Sequence, residues 1–542
     1  MQKSILAFAA IVAITSTMAA QDPCLGNGLG ASYIGATPAK IGGTMTVAWG
    51  NPNAPFGTTV LVASDLLGPV VHPIAGTLCL DINSPGFTTL FSGALDGTGT
   101  AVLSGAIPAI PALVNAVPIF IMAVTVDPTV GYPYLSIPKT IPVFFENADS
   151  YHPTGNLSGG ARALHTAVAT GSGANDNRTD IFVAGGGNGT VISPIATNTT
   201  EIWDALTRTF TAGPTMLVER ALHTATRLND GRILICGGTD TAGNVHNSFE
   251  FYDPSTNSLT VGATTMVAPR AGHAATLLAN GKVLVTGGVS TFVGGGTNLV
   301  GVLATSQNTG EVFDPATNTW SAATGTMASG RFLHTQTLLA NGNVVIVAGI
   351  NGGQTILTQG LPTYTNTCSL YTPTTNALSP TGNIGTARAV HAATRLSSGN
   401  VIVTGGLIAG TVFNLFVPQL TTSVQVYNVA AGTWSSSGAL PNGIAGHTQN
   451  TLANGDALIH GGFNSLTLSG TNLILGATAN AGRHNGTSYT AQAQIGTNAG
   501  IPGAVATPMG SHTATRMHDG SFVLIGGSTG PTTYQTATVY TN

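Results

Sequence analysis

Seven histidines punctuate the chain beyond residue 150, namely His165, His223, His273, His334, His391, His447 and His512, at spacings of 50 to 65 residues. Imidazole titrates near neutral pH and is the commonest metal ligand, so the set invites a catalytic or metal-binding reading. Equivalence argues against it. A residue that recurs whatever loops surround it meets one local need, such as a hydrogen bond to a backbone carbonyl of a neighbour, because buried polar groups require partners. Arginine stands three residues before five of the seven, at Arg162, Arg220, Arg270, Arg331 and Arg388, with Ile444 and Met509 in the last two places. Glu201, Glu250 and Glu311 recur at matching positions downstream and can pair with arginines. Both sets are read as structural.

Other reactive groups are sparse. Most of the 20 carboxylates fall in turns such as Asp253-Pro254 and Asp314-Pro315, and paired acids for glycoside cleavage would have to converge from separate repeats. The Asn175-Asp176-Asn177-Arg178-Thr179-Asp180 segment offers oxygen ligands but lacks the spacing and terminal Glu of a calcium loop, so it reads as a solvated hairpin end. Cys24 and Cys79 are expected to form a disulfide that ties down the mature N-terminus. Cys236 and Cys368, placed in repeats 2 and 5, lie too far apart to bridge and read as buried thiols. No catalytic residue, metal or cofactor is assigned.

The elements that position these residues form a repeat of four strands. A first strand contains the histidine, as in His273-Ala274-Ala275-Thr276-Leu277-Leu278, and ends at a tight turn such as Asn280-Gly281, Asn341-Gly342, Asn454-Gly455, Asp230-Gly231 or Asp519-Gly520. A second strand, apolar on both faces, stops at a glycine pair: Gly185-Gly186, Gly237-Gly238, Gly287-Gly288, Gly405-Gly406, Gly461-Gly462 and Gly526-Gly527, with Ala348-Gly349 in repeat 4. Such a strand must be covered on both sides. A third strand carries an aromatic and an Asp-Pro turn, and the fourth carries Phe210, Trp320 or Trp434. The last unit ends at its third strand, whereas Tyr151 to Leu157 aligns with the fourth strand that begins at Trp320. Residues 147 to 157 are thus expected to complete the last unit, Tyr151 beside Val539, and leave no open edge.

The glycine pairs, the Arg-x-x-His starts and the strand aromatics closely resemble the kelch repeat over the whole chain from about residue 150. The resemblance implies an all-β chain: a seven-bladed kelch-type β-propeller over 146–542. Residues 21–145 lack the repeat, and their alternating strands, for example 45–49, 59–63 and 120–124, are expected to form a β-sandwich domain. Kelch propellers include the galactose oxidase family, whose copper site needs a Cys-crosslinked tyrosine, an adjacent Tyr-His pair on a first strand and a further histidine. Here the residues before the repeat histidines are Leu164, Leu222, Gly272, Leu333, Val390, Gly446 and Ser511, and the Tyr151-His152 pair lies on the closing strand.

Residues 1–20 combine Lys3, an apolar run from Ile5 to Ile14 and small residues up to Ala20, the pattern of a secretory signal peptide cleaved near Ala20. The apolar core is too short to span a bilayer, so a secreted, periplasmic or cell-surface protein without a membrane span is expected. With 16 Lys and Arg against 20 Asp and Glu and no basic cluster, nucleic acid is excluded as a partner. The longest inserts, 289–307, 350–366, 407–422 and 463–486, emerge on one face and carry Phe292, Leu299, Ile356, Tyr364, Phe413, Phe416 and Leu473. Apolar side chains on long loops suggest a contact surface. The expected function is an exported, non-enzymatic binding or scaffold protein whose loop-rich face holds an extracellular protein or glycan. The alternative is an extracellular carbohydrate-active enzyme, either a copper oxidase or a glycoside hydrolase.

Overall fold

A four-residue strand with no polar face is stable only between two other layers, and stacking sheets around an axis supplies both. A computed structural model of the chain describes strand backbones between Tyr33 and Glu146, and residues 150–541 apart from 172–179, 191–192, 206–207, 292–305, 357–358, 413–414, 470–471, 496–506, 518–519 and 530–531. Every regular element among the described residues is a strand. Seven four-stranded antiparallel sheets form the blades of a β-propeller. Blade 1 runs outward from Thr166–Ala169 through Ile181–Ala184 and Thr200–Asp204 to Thr209–Ala212. The innermost strands of the next six are Thr224–Arg227, Ala274–Leu277, Thr335–Leu338, Ala392–Arg395, Thr448–Thr451 and Thr513–Arg516. Each packs beside its predecessor, and the seventh returns to the first.

Second strands such as Ile233–Cys236, Val401–Thr404 and Phe522–Ile525 are buried along their whole length, as a strand stacked between blades must be. Turn glycines Gly231, Gly281, Gly342 and Gly455 adopt φ of 92°, 81°, 83° and 88°, the backbone that a tight hairpin requires. The outer two strands are held by a repeated aromatic pair. Phe313 and Trp320, and Tyr427 and Trp434, lie 5.1 Å apart in each case.

Closure follows the same chemistry. Ser150–Pro153 is the fourth strand of blade 7, antiparallel to Ala537–Thr541. Tyr151 faces Tyr540 at 5.0 Å, and His152 faces Val539. This is one residue from the expected pairing, because the outer aromatic pair sets the register. Tyr151, taking the place of the tryptophan, is fully buried.

Three other expectations are corrected. Cys368 lies on the third strand of blade 4, Gln359–Thr372, not in the fifth repeat, because it precedes His391 and the first strand of blade 5, Ala392–Arg395; the second strand of blade 4 is Val344–Ile356. The inserts of blades 5 and 6 are β-hairpins rather than loops: Leu407–Val412 with Leu415–Leu420, and Phe463–Ser469 with Asn472–Ala477. The blade 6 insert ends before Ala481, where the third strand Ala481–His484 begins. Among the N-terminal strands, Thr44–Gly50 pairs with Tyr33–Ala36 and Thr100–Ala106, and Thr58–Ser64 pairs with Thr88–Ala94 and Ile119–Val126. Cys24 lies outside the described residues, as does the side chain of Cys79 on the strand Gly76–Leu80, so their pairing does too.

Candidate functional site

The seven histidines form a belt that links every blade to the one before it. Each Nε2 meets a threonine hydroxyl across the junction: His165 to Thr513 at 3.0 Å, His223 to Thr166 at 2.9 Å, His273 to Thr224 at 2.8 Å and His391 to Thr335 at 2.8 Å. His512 meets Thr448 at 2.9 Å, His334 meets Thr286 at 3.0 Å and His447 meets Thr404 at 2.8 Å. The Nε2 partner is thus a hydroxyl at every junction, and backbone groups of the preceding blade, Ile525 for His165 and Ala184 for His223, also hydrogen-bond the ring as expected. A hydroxyl both donates and accepts, so it suits either imidazole tautomer. All seven rings are buried. Burial, aided by the nearby arginine, holds His165, His223 and His273 down to about 3, and burial with His512 beside it does the same for His447. These imidazoles are neutral at physiological pH.

The threonine does not always come from the same strand. In five blades it follows the histidine on the first strand, whereas blades 3 and 5 have Ala274 and Ala392 there. The directly opposite residues on the second strand are then Thr286 and Thr404. These two hydroxyls also reach Gln336 and Gln449 on the following blade, where the other five blades carry alanine. Each glutamine Nε2 donates to a carbonyl, Leu284 O or Ile402 O, at 3.2 Å, so Oε1 faces the threonine and takes its proton. The threonine oxygen can then only accept from the histidine. His334 and His447 are thereby fixed as the Nε2–H tautomer. The sequence reading missed this exchange, although its signal, Ala-Thr-Gln replacing Thr-x-Ala, is visible in the repeats.

The glycine pairs and arginines seal the same junctions. At Gly237 (φ 66°) an added Cβ would press on the Arg270 carbonyl and lie 2.6 Å from His273 Cε1. Arg162, Arg220 and Arg270 pair with Glu201, Glu250 and Glu311 at 2.8, 3.3 and 2.7 Å, all buried. These carboxylates also accept backbone amides of the preceding blade connection, as in Leu217 N to Glu250 and Val267 N to Glu311. Among the described residues Arg331 and Arg388 have no carboxylate partner. They donate to Ala348 O and Thr367 O, and to Gly405 O and Ser423 O, and burial lowers both to about 10. Cys236 Sγ lies 3.8 Å from His273 Nε2, and burial pushes its thiol up to about 11, so it is no nucleophile.

The residues before the histidines line the axis. Gly272 N donates to Leu222 O, Leu333 N to Gly272 O, Gly446 N to Val390 O and Ser511 N to Gly446 O, at 2.8 or 2.9 Å, in a chain of amides that passes from blade to blade. Leu164, Leu222, Leu333, Val390 and Ser511 hold positive φ between 49° and 57° there. Leu222, Leu333 and Val390 pack with Phe332, Ile350 and Tyr364 into an apolar cluster at this mouth. Ile350, Leu407 and Phe463, the first residues of the blade 4, 5 and 6 inserts, pair with the residues just ahead of that chain, so the inserts rise from the same face. Neighbouring hairpins touch in blade order.

Of the expected contact residues, Tyr364 is described completely. Its ring joins the mouth cluster, and burial raises its phenol, which has no hydrogen-bond partner among the described residues. Ile356, Phe416 and Leu473 lie on hairpin strands whose side chains are outside the described residues, as are Phe292, Leu299 and Phe413. Ile474, beside Leu473, is 47 % exposed.

A copper site of the galactose oxidase kind does not fit these residues. No tyrosine precedes a belt histidine, and Tyr151 and His152 are buried in the closing strand, where Tyr151 Oη shares a 2.7 Å hydrogen bond with His460 Nδ1. Among the described residues no three His, Cys, Asp or Glu come together as a metal donor set. Among the described residues there is no helix long and apolar enough to cross a membrane.

No family model matches the chain, and no curated protein does. Among solved structures, a fungal alcohol oxidase of the AA5 family in complex with copper aligns at a TM-score of 0.51 and 17% identity, covering 73% of this chain and 76% of its own. YjhT aligns at a TM-score of 0.45 and 17% identity, covering 62% of this chain and 99% of its own. At such identity the likeness to the oxidase establishes a shared propeller fold and nothing about activity.

Proposed function

We propose that the protein is an exported binding or scaffold protein with a kelch-type propeller, and that the hairpin face around the axial mouth holds an extracellular protein or glycan. The observation that carries this reading is the mouth itself, an apolar cluster overlooked by contiguous hairpins, with every repeat histidine committed to a blade junction. A surface that binds without chemistry needs shape and apolar area rather than poised acids and bases. In this reading the signal peptide is removed near Ala20 and residues 21–145 form a β-sandwich that acts as spacer or second contact module. The closing strand enters blade 7 at Ser150, opposite Thr541. The test is saturable binding of an extracellular macromolecule to the folded protein. Phe413→Ser with Phe416→Ser should abolish it without changing the thermal midpoint, and unfolding by that pair would show the hairpins to be core. Tightly bound, stoichiometric copper in the purified protein would favour the oxidase instead.

A further inference from the structure

We infer that Asn442 is a site of spontaneous amide loss, converting to aspartate or isoaspartate in the folded protein while the chemically identical Asn-Gly pairs of the hairpin turns at Asn280, Asn341 and Asn454 are protected. The reaction needs the amide nitrogen of the following glycine to attack the asparagine Cγ. A bond forms between Gly443 N and Cγ, Nδ2 departs as ammonia, and water opens the resulting succinimide at either carbonyl. A backbone nitrogen held in a turn hydrogen bond is not available for that attack.

The hairpin turns are so held. Gly281 N, Gly342 N and Gly455 N donate to Leu278 O, Leu339 O and Leu452 O at 2.9, 3.0 and 2.9 Å. Each preceding asparagine is also fixed, since Asn280, Asn341 and Asn454 accept through Oδ1 from the amide two residues on at 3.1, 3.1 and 3.0 Å. At Asn485-Gly486 the glycine amide donates to His484 Nδ1 at 3.1 Å. Asn351 sits at a bulge of the blade 4 hairpin, and Gly352 after it pairs with Thr363.

Asn442-Gly443 differs because a clamp that blades 1, 2, 3 and 5 carry is missing there. It sits in the connection from blade 5 to blade 6, and four of the equivalent connections are pinned by a side chain of the third strand. Glu201 takes Ser158 N, Glu250 takes Leu217 N, Glu311 takes Val267 N and Gln425 takes Gly385 N. In blade 6 the clamp position is Gly482, opposite Ile459 just as Glu311 is opposite Val285, and the arginine position is Ile444. Neither the Asn442 nor the Gly443 amide donates to a protein group among the described residues. Asn442 is exposed.

The consequence is electrostatic. Residues 396–455 contain no Asp, Glu, Lys or Arg, so conversion places the first charge on this stretch, beside the base of the blade 5 hairpin, where an added Cβ on Gly443 would meet Leu420.

The test is peptide mapping by mass spectrometry after incubation of the full chain at mildly alkaline pH, folded and in denaturant. Asn442 should convert about tenfold faster than Asn280, Asn341 and Asn454 in the folded protein, the factor that one hydrogen bond on the attacking nitrogen imposes. In denaturant the four should convert at similar rates. Gly443→Ala, which hinders the attack, should slow Asn442 alone. Equal rates at all four sites in the folded protein, or an Asn442 excess that persists in denaturant, would overturn the assignment.

Discussion

Thr286→Val in blade 3 isolates the belt most cleanly. The hydroxyl serves two buried groups of the next blade, His334 Nε2 at 3.0 Å and Gln336 Oε1 at 2.6 Å, and valine preserves shape while stranding both. A buried polar group left without a partner costs about 1–3 kcal/mol, so the substitution should cost roughly 2–5 kcal/mol. The repeats supply their own rescue. Ala274→Thr with Thr286→Val and Gln336→Ala rebuilds at this junction the arrangement found between blades 4 and 5, where Thr335, Val347 and Ala393 occupy these places. That triple variant should return to within about 1 kcal/mol of the parent, since its polar groups are again paired. Equilibrium unfolding in guanidinium, followed by tryptophan fluorescence, reads both. A single variant as stable as the parent, or a triple variant no better than the single, would refute the belt as a source of stability.

Folded-state values near 3 for His165, His223, His273, His447 and His512 lie below the unfolded value of 6.5, so the unfolded chain binds more protons between the two. Stability should be complete above pH 6.5 and fall with acid by up to about 1.4 kcal/mol per pH unit per histidine, and unfolding free energies flat from pH 6.5 to 5 would contradict this. Gly237→Ala should cost upwards of about 3 kcal/mol, whereas Gly231→Ala, whose Cβ meets nothing within 4 Å, should cost only the ~1–2 kcal/mol of its positive φ; equal losses in chemical denaturation would argue against tight junctions. Glu311→Ala strands a buried guanidinium and should cost about 3–5 kcal/mol, against about 1 for Gln425→Ala, again measured by denaturant unfolding.

The propeller was legible because its constraints repeat. A strand apolar on both faces, a tight Asn-Gly or Asp-Gly turn in five repeats and a glycine pair against a neighbouring histidine in six leave a recurring trace. The closing strand was legible through Tyr151, and its register was missed by one because the repeat alignment did not weigh Tyr151 against Tyr540. The belt partner was less visible. Its hydroxyl moves between two strands that touch only after folding, and a search for conserved spacing along the chain passes over a pair that exchanges across a sheet. The mouth was the least legible part. Leu164, Leu222, Leu333 and Val390 carry no reactive group, and they converge through left-handed backbone that only a closed ring brings together.

Histidine-selective nitrogen NMR over pH 8 to 5, with and without added copper, tests the central claim most directly. The account predicts that all seven belt imidazoles stay neutral and unshifted by the metal, with His334 and His447 as Nε2–H tautomers. Any belt histidine that titrates near pH 6.5, or that broadens with one equivalent of copper, would make it a ligand or a base and contradict the binding-protein reading.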